Sequence, residues 1–202
     1  MAGRPFNKEF IAMQIRRATW VLVTVLCSLP LAAWAAGSDL SQLVDKADHI
    51  VVLRHARAPG TGDPPNFRLG DCSTQRNLSK AGRDQAARIG ARLRAAGLAE
   101  TTVYSSQWCR CLETARNLAV GPVVELPVLN SFFQSPELEQ KHTRPLRSWI
   151  ASADLGRPVV LVTHQVNITA LTGIFPAEGE ILILRRDPGK LSVVGRFSDN
   201  GR

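Results

Sequence analysis

The sequence lacks several patterns that would identify a function at once. It contains neither G-x-G-x-x-G nor G-x-x-x-x-G-K-[ST], the glycine-rich loops that hold nucleotide phosphates, which argues against a nucleotide-binding enzyme. It also has no internal repeat and no low-complexity block. The basic residues give a formal charge of +8, but they are spread along the chain without interleaved aromatic residues. This distribution argues against a nucleic-acid partner and indicates only a general preference for anionic ligands.

The composition is that of a folded domain. The chain has 202 residues, of which 45% are hydrophobic and 21% charged. This length is enough for one sizeable domain with its own core, and this balance is typical of globular proteins.

The N-terminal segment has the three parts of a secretory signal peptide. Arg16-Arg17 precede the apolar run Trp20–Trp34, and the A-x-A pattern "AWA" ends at Ala35. A basic region, a short apolar region and small residues before a cleavage point are the features that a signal peptide requires. We therefore predict that residues 1–35 are a signal peptide.

The alternative is an uncleaved membrane anchor. The apolar run is short for a membrane span, which usually needs about 20 residues, and Pro30 interrupts it. Cleavage leaves residues 36–202 as the mature domain, located in the periplasm or secreted, with no stable membrane span.

Export changes how the cysteines are interpreted. Cys27 leaves with the signal peptide, and Cys72, Cys109 and Cys111 remain in an oxidising compartment. Cys109 and Cys111 are too close to pair comfortably, so Cys72 is expected to bond to one of them. The choice stays open, with a slight preference for Cys111. The competing interpretation, a zinc site, lacks the second cysteine pair that makes such motifs convincing.

Strands and helices alternate along the mature chain. The predicted strands are 49–55, 101–106, 122–126, 158–164, 180–184 and 191–197, and the predicted helices follow Ser79 and cover 108–119, 146–152 and 165–173. The early strands are apolar on both faces, as in a parallel sheet covered by helices. The pattern predicts an α/β fold, a three-layer sandwich with a largely parallel central sheet.

Basic side chains follow three of the predicted strands. The first strand ends in Arg54-His55, the second is followed by Arg110 one turn into a helix, and the fourth ends in Thr163-His164. Ligands of such sheets bind just beyond the carboxyl ends of the strands. Each residue alone is an ordinary surface or hydrogen-bonded group, but together they predict an anion pocket.

The residue types suit phosphoryl transfer. Guanidinium groups offer paired donors that match phosphate oxygens, and an imidazole nitrogen can attack phosphorus. A phosphoryl group in transfer needs an attacking atom on one side and positive charge around its other oxygens. Guanidinium and imidazole groups supply that charge, so no metal and no cofactor are implied.

The segments "LRHA", "NLSKAGRDQA", "VYSSQWCRCLETA" and "VVLVTHQVNI" resemble the histidine phosphatase superfamily, which has the phosphoglycerate-mutase-like fold. The resemblance implies that His55 is the phosphorylated nucleophile and that Arg54 and Arg110 bind the phosphate. His164 matches the second histidine, which stabilises the transferring group. Ala56 stands where the family has glycine, a mild departure.

Two segments, "CSTQRNLS" and "SQWCRCLETA", look most like the exported branch that includes the lipopolysaccharide core heptose-phosphate phosphatases. This resemblance implies an exported phosphatase that hydrolyses a phosphomonoester through a phosphohistidine. Its partner is a phosphorylated small molecule or an envelope glycan. The alternative is a module that binds a phosphate ligand with weak or no turnover.

The general acid does not carry over from the family. Some members place an aspartate directly after the second histidine, but here that position is Gln165. Other members supply a carboxylate after the third strand, where Glu137 and Glu139 lie, and Asp63 in the long first loop is a further candidate. We assign the role to Glu137, with a solvated surface carboxylate as the alternative interpretation of each.

Overall fold

A computed structural model describes residues 39–44, 46–153 and 158–199. The predicted signal peptide, residues 1–35, lies outside these ranges, and so does the alternative membrane anchor. No helix in the described ranges is both long and apolar enough to cross a membrane.

Strands and helices alternate through the described ranges, as predicted. The strands are β1 (His49–Arg54), β2 (Val103–Ser105), β3 (Val123–Glu125), β4 (Val159–Thr163), β5 (Ile181–Asp187) and β6 (Lys190–Phe197). The helices are α1 (Leu40–Val44), α2 (Lys80–Ala95), α3 (Cys109–Leu118), α4 (Glu139–Ser152) and α5 (Gln165–Thr172). Two differences stand out: α1 was not predicted, and α4 begins earlier than predicted. Pro145 lies inside α4, where a proline normally ends a helix, and this obscured the first half of α4 in the sequence.

The strands form one sheet in the order β3-β2-β4-β1-β5-β6. β1 pairs in parallel with β4, and β2 pairs in parallel with β3 and β4. β5 is antiparallel to β1 and to β6. The turn between β5 and β6 contains Gly189 at a φ of 72°, a left-handed conformation that glycine adopts without a steric cost. The largely parallel sheet confirms the predicted fold class.

Alternate residues of the central strands face two separate apolar cores. Val51 and Leu53 of β1 pack in one core with α1, α2 and α3. Ile50 and Val52 of the same strand pack in the other with α4 and α5. Because both faces of β1 are covered, the strand reads as a continuous apolar run. The two cores on either side of the sheet give the three-layer sandwich.

Helix α3 is held close to α2. A Cβ atom added at Gly90 of α2 would lie 1.9 Å from the carbonyl oxygen of Leu118, so only glycine allows the two backbones to approach this far. Ser79 caps α2, since its hydroxyl accepts a hydrogen bond from the Gly82 amide. This packing fixes α3, which carries Arg110, beside the carboxyl end of β2.

Candidate active site

A cavity of about 180 Å³ lies at the carboxyl ends of β1 and β4. Its volume is smaller than that of typical drug-sized pockets, which start at about 300 Å³. The cavity therefore suits a phosphoryl group and only a small part of the molecule attached to it. Phe133 and Phe175 line the cavity and are 45% and 68% exposed, so they form part of its outer rim. Three guanidinium groups and two imidazole rings line its interior, those of Arg54, Arg76, Arg110, His55 and His164.

The ring of His55 is held in one tautomer. Its Nδ1 lies 2.8 Å from the backbone carbonyl oxygen of Ala56. A carbonyl oxygen only accepts, so Nδ1 carries the proton and Nε2 keeps a free lone pair. Burial, followed by the positive charge of Arg110, holds the pKa of His55 well below its ordinary value. The ring is therefore neutral at physiological pH, as a nitrogen nucleophile has to be.

The departure from glycine at position 56 fits this arrangement. Ala56 is fully buried, and its amide donates to the Thr114 hydroxyl of α3 over 3.0 Å. The alanine side chain packs with Ala58, Leu78 and Ala86. The backbone carbonyl that orients His55 is thus anchored from α3.

His164 lies beside His55, with ring centroids 5.6 Å apart. Its Nδ1 is 3.4 Å from Nη2 of Arg110, which can only donate, so its Nε2 carries the proton and donates to the Ser106 hydroxyl over 2.8 Å. Burial, then the charges of Arg110 and His55, hold the pKa of His164 well below its ordinary value. A phosphoryl group on His55 would bring negative charge next to this ring and favour its protonated form.

In both Arg54 and Arg110, the outer guanidinium nitrogens donate to protein oxygens while Nε has no partner among the described residues. Arg54 donates from Nη1 to the Pro176 carbonyl over 2.9 Å, and Arg110 donates from Nη1 and Nη2 to the two Asp63 oxygens over 2.7 and 3.2 Å. The Nε of each arginine is buried and has no hydrogen-bond partner among the described residues. A buried donor without a partner is costly. Two such donors at one cavity, beside the neutral ring of His55, indicate a site for an anion.

Arg76 is a third arginine of the site, and it was not predicted from the sequence. Its Nε donates to the Gly62 carbonyl over 2.9 Å, its Nη1 contacts the Ala58 carbonyl, and it lies 3.6 Å from Glu178. Burial, then the nearby charge of Arg110, lowers its pKa. Arg76 follows a long loop and not a strand, so its position in the sequence gave no sign that it reaches the carboxyl ends of the strands.

Two carboxylates that do not line the cavity offset part of the positive charge of the arginines. Asp63 binds Arg110 and also accepts from the indole Nε1 of Trp108 over 3.0 Å and from the Arg76 amide over 3.1 Å. Burial alone would raise the pKa of Asp63, but the hydrogen bonds and charge of Arg110 outweigh burial and lower it. Asp63 is therefore an ionised counter-ion and not a proton donor. Glu178, 3.7 Å from Arg54, is the second counter-ion and was not identified from the sequence.

The structure does not bring the other acid candidates into the cavity. Glu137 and Glu139 are exposed and are not among the residues that line it. Gln165 does line it, and its amide donates to the Thr169 hydroxyl over 2.9 Å. Among the described residues, the cavity lining contains no carboxylic acid. The geometry thus gives no support to the assignment of Glu137, which stays a prediction.

A disulfide joins Cys72 to Cys109, with the sulfurs 2.02 Å apart. The prediction that Cys72 bonds to one of the two α3 cysteines is confirmed, but the slight preference for Cys111 is wrong. Cys111 faces the sheet, where its sulfur is fully buried 3.4 Å from Nε2 of His164. Burial raises the pKa of this thiol to about 12. The disulfide also contradicts the zinc interpretation, since Cys72 and Cys109 have no thiolate to offer.

The disulfide ties the first loop to the active-site helix. The Cys109 amide donates to the Gln75 side chain over 2.9 Å, next to Arg76. On the same loop, Asp63 binds Arg110. Loop and helix are thus joined around the cavity by a covalent bond, by hydrogen bonds and by an ion pair. No group of three metal-ligating side chains occurs within the described ranges.

Comparison with known families gives a match over residues 50–132 to the histidine phosphatase superfamily, branch 1. This region includes Arg54, His55 and Arg110 but ends before His164, whose place in the site rests on geometry alone. Comparison with curated protein sequences found no match.

Solved structures share the fold. The YhfR protein of Bacillus stearothermophilus is 21% identical with a TM-score of 0.54, and the comparison covers 73% of this chain and 95% of that one. A putative alpha-ribazole-5'-P phosphatase from Escherichia coli is 16% identical with a TM-score of 0.56 and coverages of 76% and 97%. A putative phosphohistidine phosphatase SixA from Agrobacterium tumefaciens is 18% identical with a TM-score of 0.51 and coverages of 76% and 99%. The family match over residues 50–132 and the fold shared with these structures make this chain similar to the histidine phosphatase superfamily.

Proposed function

We propose that the protein is an exported phosphatase that hydrolyses a phosphomonoester through a phosphohistidine intermediate. The observation that carries the proposal is the contact between Nδ1 of His55 and the Ala56 carbonyl oxygen, from which the tautomer of the ring follows. Its Nδ1 proton is committed to the Ala56 carbonyl, which leaves the Nε2 lone pair for phosphorus in a cavity lined by Arg54, Arg76 and Arg110. A neutral nucleophile surrounded by fixed positive charge is what in-line phosphoryl transfer needs.

The reaction has two steps. In the first, the Nε2 lone pair of His55 forms a bond to phosphorus while the bond from phosphorus to the leaving oxygen breaks, and the leaving oxygen takes up a proton from the solvent. In the second, water attacks phosphorus and gives one proton back to the solvent, the N–P bond breaks and its electrons return to Nε2, so that inorganic phosphate and free His55 are regenerated. Arg54, Arg76 and Arg110 stabilise the charge on the phosphoryl oxygens in both steps. No metal ion takes part in this scheme.

The proposed substrate is a sugar phosphate or an envelope-linked phosphate. Its support is the predicted signal peptide and the resemblance to the exported heptose-phosphate phosphatases, and the Cys72–Cys109 disulfide is compatible with an oxidising compartment. The proposed location is accordingly the periplasm or the exterior of the cell.

A second candidate function is a phosphate-binding module with weak or no turnover. It is favoured by Gln165, an amide that cannot supply a titratable proton to a leaving oxygen. A metal-free screen of the mature protein over sugar, aryl and phosphoramidate substrates separates the two. Turnover with an acid-labile phosphoryl-enzyme supports the phosphatase, whereas tight phosphate binding without any turnover supports the module.

A further inference from the structure

The guanidinium of Arg110 has two edges that can bind an oxyanion, and Asp63 occupies one of them. The end-on edge, formed by Nη1 and Nη2, donates to Oδ1 and Oδ2 of Asp63 over 2.7 and 3.2 Å. The side-on edge, formed by Nε and Nη2, has a different environment. Its Nε is buried without a partner among the described residues, and its Nη2 lies 3.4 Å from Nδ1 of His164.

Asp63 is itself fixed from several sides. It is ion-paired with Arg110, accepts from the Arg76 amide and from the Trp108 indole, and its side chain is only 6% exposed. A carboxylate with these contacts has little freedom to move, so it holds the guanidinium in one orientation. Arg54 shows a similar arrangement, since its Nη1 donates to Pro176, its Nη2 lies 3.7 Å from Glu178 and its Nε is unpartnered.

We infer that Asp63 is a positioning residue, which holds the end-on edge of Arg110 so that the side-on edge, Nε and Nη2, binds the phosphoryl group. Without this carboxylate, the end-on edge is free to compete for the phosphate and the guanidinium can take several orientations. The charge of Arg110 remains, so an anion is still attracted to the cavity. What is lost is the geometry that matches the charge in the transition state. The inference rests on the proposed function for its kinetic readout, but not for its binding readout.

The effect of Asp63→Asn is expected to be much larger on kcat than on KM. An asparagine keeps the size of the side chain, but its amide NH2 group cannot accept from Arg110. We expect kcat to fall roughly 10- to 100-fold, the range that coupling between contacting charged residues spans. We expect KM and the inhibition constant of inorganic phosphate to stay level or fall, because one negative charge has been removed beside the site. A purely structural role would instead lower the melting temperature and weaken phosphate binding together.

A double-mutant cycle with Arg110→Ala tests whether Asp63 acts through Arg110. In the Arg110→Ala background, Asp63→Asn is expected to change kcat/KM by less than about threefold. The matched control is Glu113→Gln, which removes a carboxylate paired with Arg83 over 3.4 Å on the same helix as Arg110. We expect this control to leave kcat and KM unchanged.

Two results would overturn the inference: an equal loss from Asp63→Asn in both backgrounds, or wild-type kcat in the single variant. If the wild-type protein turns over no substrate, the proposed function fails, but the same cycle can be run by calorimetry with inorganic vanadate, a mimic of the transferring group. Asp63→Asn should then weaken vanadate binding while phosphate binding stays level or tightens, and the vanadate effect should appear only when Arg110 is present. Equal weakening of both anions would contradict the inference independently of catalysis.

Discussion

The Nδ1 proton of His55 is donated to the carbonyl of the next residue, Ala56, over 2.8 Å. This single contact decides which ring nitrogen keeps a free lone pair, and it is made within one dipeptide at the end of the central strand. The chemistry of the site thus depends on local backbone geometry as well as on the distant elements that converge there.

Replacement of the nucleophile is the first test. We expect His55→Ala to abolish turnover and to remove the acid-labile phosphoryl-enzyme, because the variant lacks the Nε2 lone pair that attacks phosphorus in the proposed reaction. Acid quench after incubation with a ³²P-labelled substrate measures the intermediate, and circular dichroism checks the fold. Near-wild-type turnover in this variant would contradict the covalent mechanism.

The arginines give a second test. We expect Arg54→Ala or Arg110→Ala to cost about 2 to 5 kcal/mol of transition-state stabilisation, as for the loss of one partner from a buried charge-assisted contact. Arg110→Lys should also be poor, because an ammonium group cannot bind Asp63 and the phosphoryl group through two separate edges. The measurement is kcat/KM with one substrate across the variants. A fully active lysine variant would show that the guanidinium geometry is unimportant.

The lowered pKa values of His55 and His164 predict that the stability of the protein depends on pH. The pKa values of His55 and His164 lie well below the ordinary value of 6.5 in the folded protein. As the pH falls below 6.5, the unfolded chain therefore binds more protons than the folded chain. Protonation then favours unfolding, so the contribution of these two groups to the free energy of unfolding is complete above pH 6.5 and decreases as the pH falls. Imidazole titration by NMR should show both rings still neutral at pH 6, and inorganic phosphate should raise both pKa values. A titration of either ring near 6.5 in the free protein would contradict this.

The described lining of the cavity contains no carboxylic acid, and this predicts a strong dependence on the leaving group. Because Gln165 donates no titratable proton, we expect aryl phosphates to be cleaved faster than alkyl phosphates, with kcat/KM falling steeply as the leaving-group pKa rises. Gln165→Glu should flatten this dependence by adding an acid. If Glu137 is the general acid, as the sequence predicted, Glu137→Gln will slow the alkyl phosphates selectively.

The disulfide affects both stability and activity. Its cysteines are 37 residues apart, and the chain-entropy model values the closure of such a loop at roughly 3 to 4 kcal/mol. We expect Cys72→Ser to lower the free energy of unfolding by up to that amount and to lower kcat, because the loop that carries Asp63 and Arg76 is no longer tied to α3. Urea denaturation and steady-state kinetics measure the two effects. Unchanged kcat in the reduced or substituted protein would show that the ion pair alone holds the loop.

Much of the fold follows from local sequence, for a physical reason. Strands covered on both faces must be apolar throughout, so β1 and β4 are visible as continuous runs, and the parallel sheet then brings His55 and His164 to one edge. The resemblance to a known family supplied the same residues independently. These parts of the site could be predicted because strand direction alone determines where each side chain is placed.

The rest depends on long-range packing that no local pattern encodes. Arg76 and Glu178 reach the site from loops, and their roles come from contacts with residues distant in sequence. The choice between Cys109 and Cys111 depends on which side of α3 faces the sheet, and Cys111 is the one that contacts Thr163 of β4. The role of Asp63 likewise changed from acid candidate to counter-ion once its contact with Arg110 was visible.

Because Cys111 is buried, the rate at which its thiol is labelled reports how often this part of the protein opens. The thiol is enclosed by α3 and the end of β4, and its raised pKa keeps it from reacting as a thiolate. An alkylating reagent can therefore label it only when that region separates, so the labelling rate under native conditions measures how often α3 leaves the sheet. A ligand that contacts both Arg110 on α3 and His164 at the end of β4 should hold these two elements together. It should therefore slow the labelling in proportion to its occupancy, so the labelling rate measures binding without any need for turnover.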